Sequence, residues 1–282
     1  MTERLRDIQA RIGTVHQLSA VVTAMRSIAA ARTQEARSHL DGIRTYAETV
    51  GLAIGEALAV LPDAERSAAG SGPEGPQAIV ALCAEQGFAG AFSAHVLDTV
   101  ARMAATGRSD LLLVGDRGLM LAEERGLAVD WSAPMVVHAA QTATLADRIV
   151  DELYRRLAAG TITHVSLVHA DPDAAEPGQV LVRRLAPFDF DRFPVARTAQ
   201  SPLMTLSPQT LLARLAEEYV FAEICEAVML SFAAENAARM RAMVAAKENV
   251  EETMATLVAR SRQVRQEEIT AEIVELATAG TG

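Results

Sequence analysis

The residues to ask about first are those that could bind phosphate, hold a metal or attack a substrate. Gly87-Phe-Ala-Gly90 follows a buried apolar run, where a glycine turn could cradle a phosphate on backbone N–H groups. It lacks the three-glycine spacing of a dinucleotide fingerprint and the lysine of a P-loop, and Lys247 is the only lysine in the chain. Packing of a loop against a helix is the simpler use of these glycines. Gly115-Asp-Arg-Gly118 reads in the same way, as a turn after a strand. The six histidines show neither HxxxH nor HExxH spacing, and His164 and His169 fall on opposite faces of one strand. Asp171 and Asp173 bracket Pro172, which a turn explains. The two cysteines, Cys83 and Cys225, lack CxxC spacing and read as buried free thiols of a reducing compartment. No nucleophile elbow is visible, nor a Cys/His pair that the sequence places together. These patterns give no convincing catalytic constellation, no metal site and no cofactor, and an enzyme whose α/β domain binds a small ligand stays open as an alternative.

The bulk numbers narrow the partners. A net charge of −10 argues against nucleic acid, which is bound by Lys and Arg that displace counterions from phosphates. No segment approaches the apolar length of a membrane span. The opening Thr2-Glu-Arg-Leu-Arg-Asp7 is a helix start rather than a signal peptide. The expectation is a soluble chain, or one held at a membrane by its partners. Aromatics make up only 4% of residues, so the core must rest on Ala, Leu, Val and Met, the composition of helices packed along a seam.

The elements that would position any site are announced by proline. All ten prolines lie between Pro62 and Pro208. Proline costs a helix interior about 3 kcal/mol, so the two proline-free arms predict long helices around a middle domain. In the first arm, alternating steps of three and four from Leu5 reach Ile8, Ile12, Val15, Ser19, Val22, Arg26, Ala29, Thr33, Ala36, Leu40, Ile43, Ala47, Val50, Ile54, Ala57 and Leu61. That is a sustained 3.5-residue repeat, the seam of a coiled coil, on a helix roughly 80–90 Å long. A lone helix of this kind is unstable and needs a partner along its length. The second arm offers one, with Met240, Met243, Lys247, Val250, Met254, Leu257, Ser261, Val264, Glu268 and Ala271 again alternating by three and four. Residues 219–234 are apolar on nearly all sides and read as buried between the first arm and the middle domain. Pairing arms from opposite ends of the chain predicts an antiparallel two-helix coiled coil. Beside the first seam runs a second stripe of Leu18, Val21, Met25 and Ile28, which serves either local core or another partner.

In the middle, Ile79–Cys83, Leu111–Val114, His164–His169 and Val180–Ala186 read as strands. Residues 92–105 and 142–159 read as helices, and Asp116–Arg125 as a short one. Strands alternating with helices predict a Rossmann-like α/β domain with a largely parallel sheet. Residues 63–77 form a Gly/Pro/Ser-rich loop. The expected segments are an N-terminal coiled-coil helix over 1–61, an α/β domain over 76–195 and a C-terminal coiled-coil helix over 207–278.

Three blocks of residues resemble a known family. Thr23–Arg32 reads TAMRSIAAAR, residues 235–249 read ENAARMRAMVAAKEN, and residues 264–275 read VRQEEITAEIVE. The first is similar to the N-terminal helix signature of ATP synthase γ subunits, and the other two to the closing helix of that family. Departures exist: GFAGAFS stands where the family shows Gly-Leu-Cys-Gly-Gly-Phe-Asn, Ala234-Glu235-Asn236 replaces Ser-Glu-His, and the usual paired glycines near the C-terminus are missing. These are changes of partner detail rather than of fold, such as a second, divergent rotary ATPase would carry. The resemblance implies a rotor shaft inside a ring of α and β subunits, with the α/β domain against the ε subunit and the membrane c-ring. It implies that ion flow is coupled through the shaft to conformational change in catalytic β subunits, at the cytoplasmic face of a bacterial inner membrane. It also implies that Met25, Arg239, Arg265, Gln266, Thr270 and Glu272 make coupling contacts with the ring, and that Ile269, Ile273, Val274, Leu276 and Ala277 form a low-friction tip. A free-standing coiled-coil adaptor with an α/β platform is the competing expectation.

Overall fold

The computed structural model describes residues 3–61, 75–105, 107–173, 178–195 and 205–279. Helix α1 spans Glu3–Val60 without interruption, 58 residues, and helix α5 spans Pro208–Ala279, 72 residues. Proline sets the start of α5. Pro208 takes the first helical turn, where its missing N–H is not needed, and Ser207 Oγ accepts from Thr210 N–H at 3.3 Å.

Between the long helices lie β1 (Gln77–Leu82), α2 (Phe92–Ala104), β2 (Ser109–Val114), α3 (Asp116–Glu124), β3 (Trp131–Ala133), α4 (Thr142–Ala158), β4 (His164–Ala170) and β5 (Val180–Ala186). They build one five-stranded sheet in the order β3-β2-β1-β4-β5. β1 is parallel to β2 and β4, β2 is parallel to β3, and only the β4–β5 pair is antiparallel. Strand β3, with three residues, is too short for an apolar run to announce it in the sequence. The Gly/Pro/Ser-rich stretch expected over 63–77 lies mostly outside the described residues; Gly75 and Pro76 lead into β1, which its last residue, Gln77, opens.

The chain forms two compact units, and their border cuts across both long helices: residues up to Ala30 with those from Arg239 onward, and Ala31–Ala238. In the second unit both sheet faces are covered. Ala78, Val80 and Leu82 of β1 pack, with Leu112, Val114, Val165 and Leu167, under α4, the second half of α1 and the first part of α5. Ile79, Ala81, Leu111, Leu113 and Val168 pack on the other face under Val96, Leu97 and Val100 of α2 and Ala122 of α3. This alternation along each strand follows from the two-residue period of a pleat. A further cluster joins Val50, Ile54, Ala57, Leu58 and Leu61 of α1 to Leu212 of α5 and Phe193. The apolar run 219–234 of α5 lies in the first of these cores, with Ile224, Val228, Met229 and Phe232 at 1% exposure or less. In the first unit, Leu5, Ile8 and Ile12 of α1 pack with Val264 of α5.

Candidate functional site

Most of the expected seam positions are buried or half-buried. In the first unit Leu5, Ile8, Val22 and Ala29 are buried, Ile12, Val15 and Ser19 are half-buried, and only Arg26 is exposed. On α5 in the same unit, Met243, Val250 and Val264 are buried, Met240, Lys247, Met254, Leu257, Ser261 and Glu268 are half-buried, and Ala271 is exposed. In the second unit the α1 series continues with Ala36, Leu40, Val50, Ile54, Ala57 and Leu61 buried, and Thr33, Ile43 and Ala47 half-buried. Polar residues survive mid-helix because several hydroxyls bond back one turn, as Thr23 Oγ1 does to the Ser19 carbonyl at 2.8 Å.

Seam burial leaves other faces of the first unit open. Leu18, Val21 and Ile28 are about half exposed, at 49%, 54% and 54%, while Met25 between them is half-buried. Near the end of α5, Ile269, Ile273, Val274 and Leu276 are all more than half exposed. The side chain of Ala277 lies outside the described residues.

The six residues expected to contact a ring do not form one site. Gln266 and Thr270, one turn apart, share a groove of about 700 Å³ with Gln263, Glu267, Ala271, Val274 and Glu275. Thr270 Oγ1 donates to the Gln266 carbonyl at 2.9 Å. Arg265 and Glu272 are exposed and lie outside that groove. Arg239 is buried, at 4% exposure, which sets it apart from the other five.

The second unit holds a charged cluster that the sequence reading missed. Glu223 of α5 is 3% exposed and accepts from Arg192 at 2.8 Å, with Arg183 of β5 at 3.7 Å. Glu226, one turn on, accepts from Arg44 of α1 at 2.9 Å and Arg183 at 3.0 Å. Burial alone would raise the Glu226 carboxyl, but the bonds from Arg44 and Arg183 outweigh it and hold its pKa below the usual range. Arg192 also lies over the Tyr219 ring at 5.6 Å. The available signal was two acids, three apart, inside an otherwise apolar run: buried acids require cations, though nothing in spacing says which.

The Gly115–Gly118 motif serves packing, whereas a Cβ at Gly87 or Gly90 would meet nothing within 4 Å, so the close packing expected of that first motif is not seen. A Cβ on Gly118 would stand 2.1 Å from Cys83 Cβ, and one on Gly115 would stand 2.6 Å from the Cys83 carbonyl oxygen. Asp171 and Asp173 form a turn, Asp173 N–H donating to Asp171 Oδ1 at 2.9 Å. Both cysteines are free and buried. Among the described residues, no group of three or more His, Cys, Asp and Glu could hold a metal, and no helix is long and apolar enough to cross a membrane.

Comparison with known proteins places this arrangement. A family model described as ATP synthase matches residues 4–281. A curated ATP synthase gamma chain from Anaeromyxobacter sp. (strain K) is 28% identical over 96% of each chain. One from Frankia casuarinae is 27% identical, covering 98% of this chain and 96% of its own. Among solved structures, a chain of the Euglena gracilis mitochondrial ATP synthase (OSCP/F1/c-ring, rotational state 3) superposes with a TM-score of 0.69 at 14% identity, covering 99% of this chain and 94% of the other. A chain of the Tetrahymena thermophila mitochondrial ATP synthase central stalk and c-ring gives 0.57 at 19%, covering 80% and 99%.

Proposed function

This chain belongs to the ATP synthase family, and from that premise we propose how it works: as the central-stalk rotor of a rotary ATPase. Its partners are α and β subunits around the paired helices, and an ε subunit and c-ring against the α/β domain. Ion flow turns the c-ring and this chain with it. Catalysis belongs to the β subunits. The rotor contributes contacts that differ from one β conformation to the next, and only such differential contact shifts an equilibrium between states. The chain sits peripherally on the cytoplasmic face of a bacterial inner membrane, held there by its partners.

The observation that carries this reading is the coincidence of two features in the first unit. The seam is buried with heptad regularity, so the helices stiffen each other. The neighbouring apolar and polar faces, Leu18, Val21 and Ile28 on α1 and Arg265, Gln266 and Ile269 to Leu276 on α5, remain exposed. Met25, Arg265, Gln266, Thr270 and Glu272 are the proposed coupling contacts, and buried Arg239 acts through the packing around it. The α/β domain over 76–195 is the proposed foot, between the helical segments 1–61 and 207–278.

The test is purification of the tagged chain from its native membranes with an ATPase assay. Co-purifying α and β subunits with ATP hydrolysis are expected. A chain recovered alone, or with unrelated proteins, would overturn the rotor reading.

A further inference from the structure

We propose that the crevice between β1 and β4 is an oxyanion site whose ligand is built into the chain, the carboxylate of Glu235. A doubly wound sheet binds ligands at the C-terminal edge of its strands, where neighbouring strands have connections on opposite faces. β1 and β4 meet that description: they are parallel neighbours, β1 leads into α2 on one face, and β4 is reached from α4 on the other. The crevice is filled by α5. Ala234 packs there with Ala84, just after β1, and Ala170, the last residue of β4.

Glu235, at 3% exposure, follows directly. Its Oε2 accepts from Glu85 N–H at 3.3 Å and its Oε1 from Gln86 N–H at 3.4 Å. Two consecutive amides facing two oxygens of one anion is how a backbone nest takes a phosphate or carboxylate. The surrounding polar groups are satisfied from within the chain as well. Ser93 Oγ accepts from Ala84 N–H at 3.1 Å, and the Ala84 carbonyl accepts from Arg117 and Gly118 N–H at 3.1 and 3.3 Å. The Glu85 carboxylate accepts from Asp116 N–H at 3.2 Å and Met135 N–H at 2.7 Å. Two internal carboxylates thus occupy the edge where this sheet architecture ordinarily holds a phosphate. The two amides just ahead of the Gly87–Gly90 loop are thus already engaged, and Glu235 fastens α5 to the sheet.

Truncating the side chain exposes the site. Glu235→Ala deprives two part-buried amides of this acceptor beside a hollow the size of a short carboxylate, which formate or acetate can enter. In the full-length chain, Glu235→Ala is expected to melt about 4–8 °C lower than the parent. Formate or acetate should raise that melting temperature saturably, by more than chloride at equal ionic strength, and should shift the Glu85 and Gln86 amide resonances. The parent chain should show neither response. A variant that melts with the parent, or gains no more from acetate than the parent does, overturns the proposal. If Glu235→Ala does not fold, Glu235→Gln, which fills the hollow, is read instead. Its amide group offers only one acceptor atom, so a lower melting temperature and an altered Glu85 or Gln86 resonance are expected, and unchanged values of both overturn it. The outcome is independent of the rotor reading, since it needs no partner subunit.

Discussion

His169 shows what a single side chain does in this fold. It lies at 0% exposure on β4, its Nε2 has no hydrogen-bond partner among the described residues, and its Nδ1 is 3.3 Å from the Ala170 carbonyl. Burial depresses its pKa from the ordinary 6.5 and Arg183 adds to the effect, against opposing pulls from the Ala170 bond, Asp171 and Glu226. The unfolded chain then binds the proton more readily. The stability tied to neutral His169 is complete above pH 6.5 and is lost as pH falls from there through the folded value. His169→Leu is expected to flatten the fall in melting temperature between pH 7 and pH 5, by no more than about 1.4 kcal/mol per pH unit. An unchanged pH profile would show that His169 does not titrate on unfolding. The Arg192–Glu223 pair gives a second test. Arg192→Ala leaves a buried carboxylate with Arg183 at 3.7 Å as its remaining cation, which should cost about 2 kcal/mol, allowing for the partial exposure of Arg192. Adding Glu223→Leu should recover most of that loss in denaturant melts, and a double variant weaker than Arg192→Ala alone would refute it. Strand alternation made it legible that His164 and His169 face opposite ways. The partners of Glu223 were not legible, because they come from a loop and a strand whose positions only the folded chain brings together.

Helix α1 was the most legible element. Its 3.5-residue repeat holds phase from Leu5 to Leu61, and Arg26 is its single exposed member. What periodicity could not give is the division of labour along the helix. The same seam packs on α5 in the first unit, and on the sheet's helical layer and the start of α5 in the second. The two segments should therefore respond differently to damage. Val264→Asp places a charge among Leu5, Ile8 and Ile12, where its burial without a partner is costly. Hydrogen exchange should speed up in residues 3–30 and 239–279 while β1, β2 and β4 stay protected. Ile54→Ala, at a site of 0% exposure, should instead cost the second unit about 2–4 kcal/mol in its cooperative unfolding. Equal loss of protection everywhere in Val264→Asp would mean that the units are not separable in stability.

For the whole molecule, the question is which exposed surface transmits force, and a burial pattern alone leaves it open. Physics identified a stiff pair of helices with uncovered faces, and the ring that covers them entered through family resemblance, because a sequence states where it is sticky but not to whom. The separation between fold and coupling is itself testable. Arg265 and Gln266 are exposed on α5, so replacing both with Ala should move stability by no more than about 0.5 kcal/mol per site. If they engage one β conformation more strongly than another, the same double variant must lower the ions pumped per ATP hydrolysed, since coupling consists of that difference. Hydrolysis itself should persist, because the proposed rotor role leaves the chemistry to the β subunits. Pumping and hydrolysis that remain in the parent ratio, in an assembled complex with unchanged melting, would mean that the solvated face of α5 is only solvated, and that force passes instead through the apolar stripe of Leu18, Val21 and Ile28.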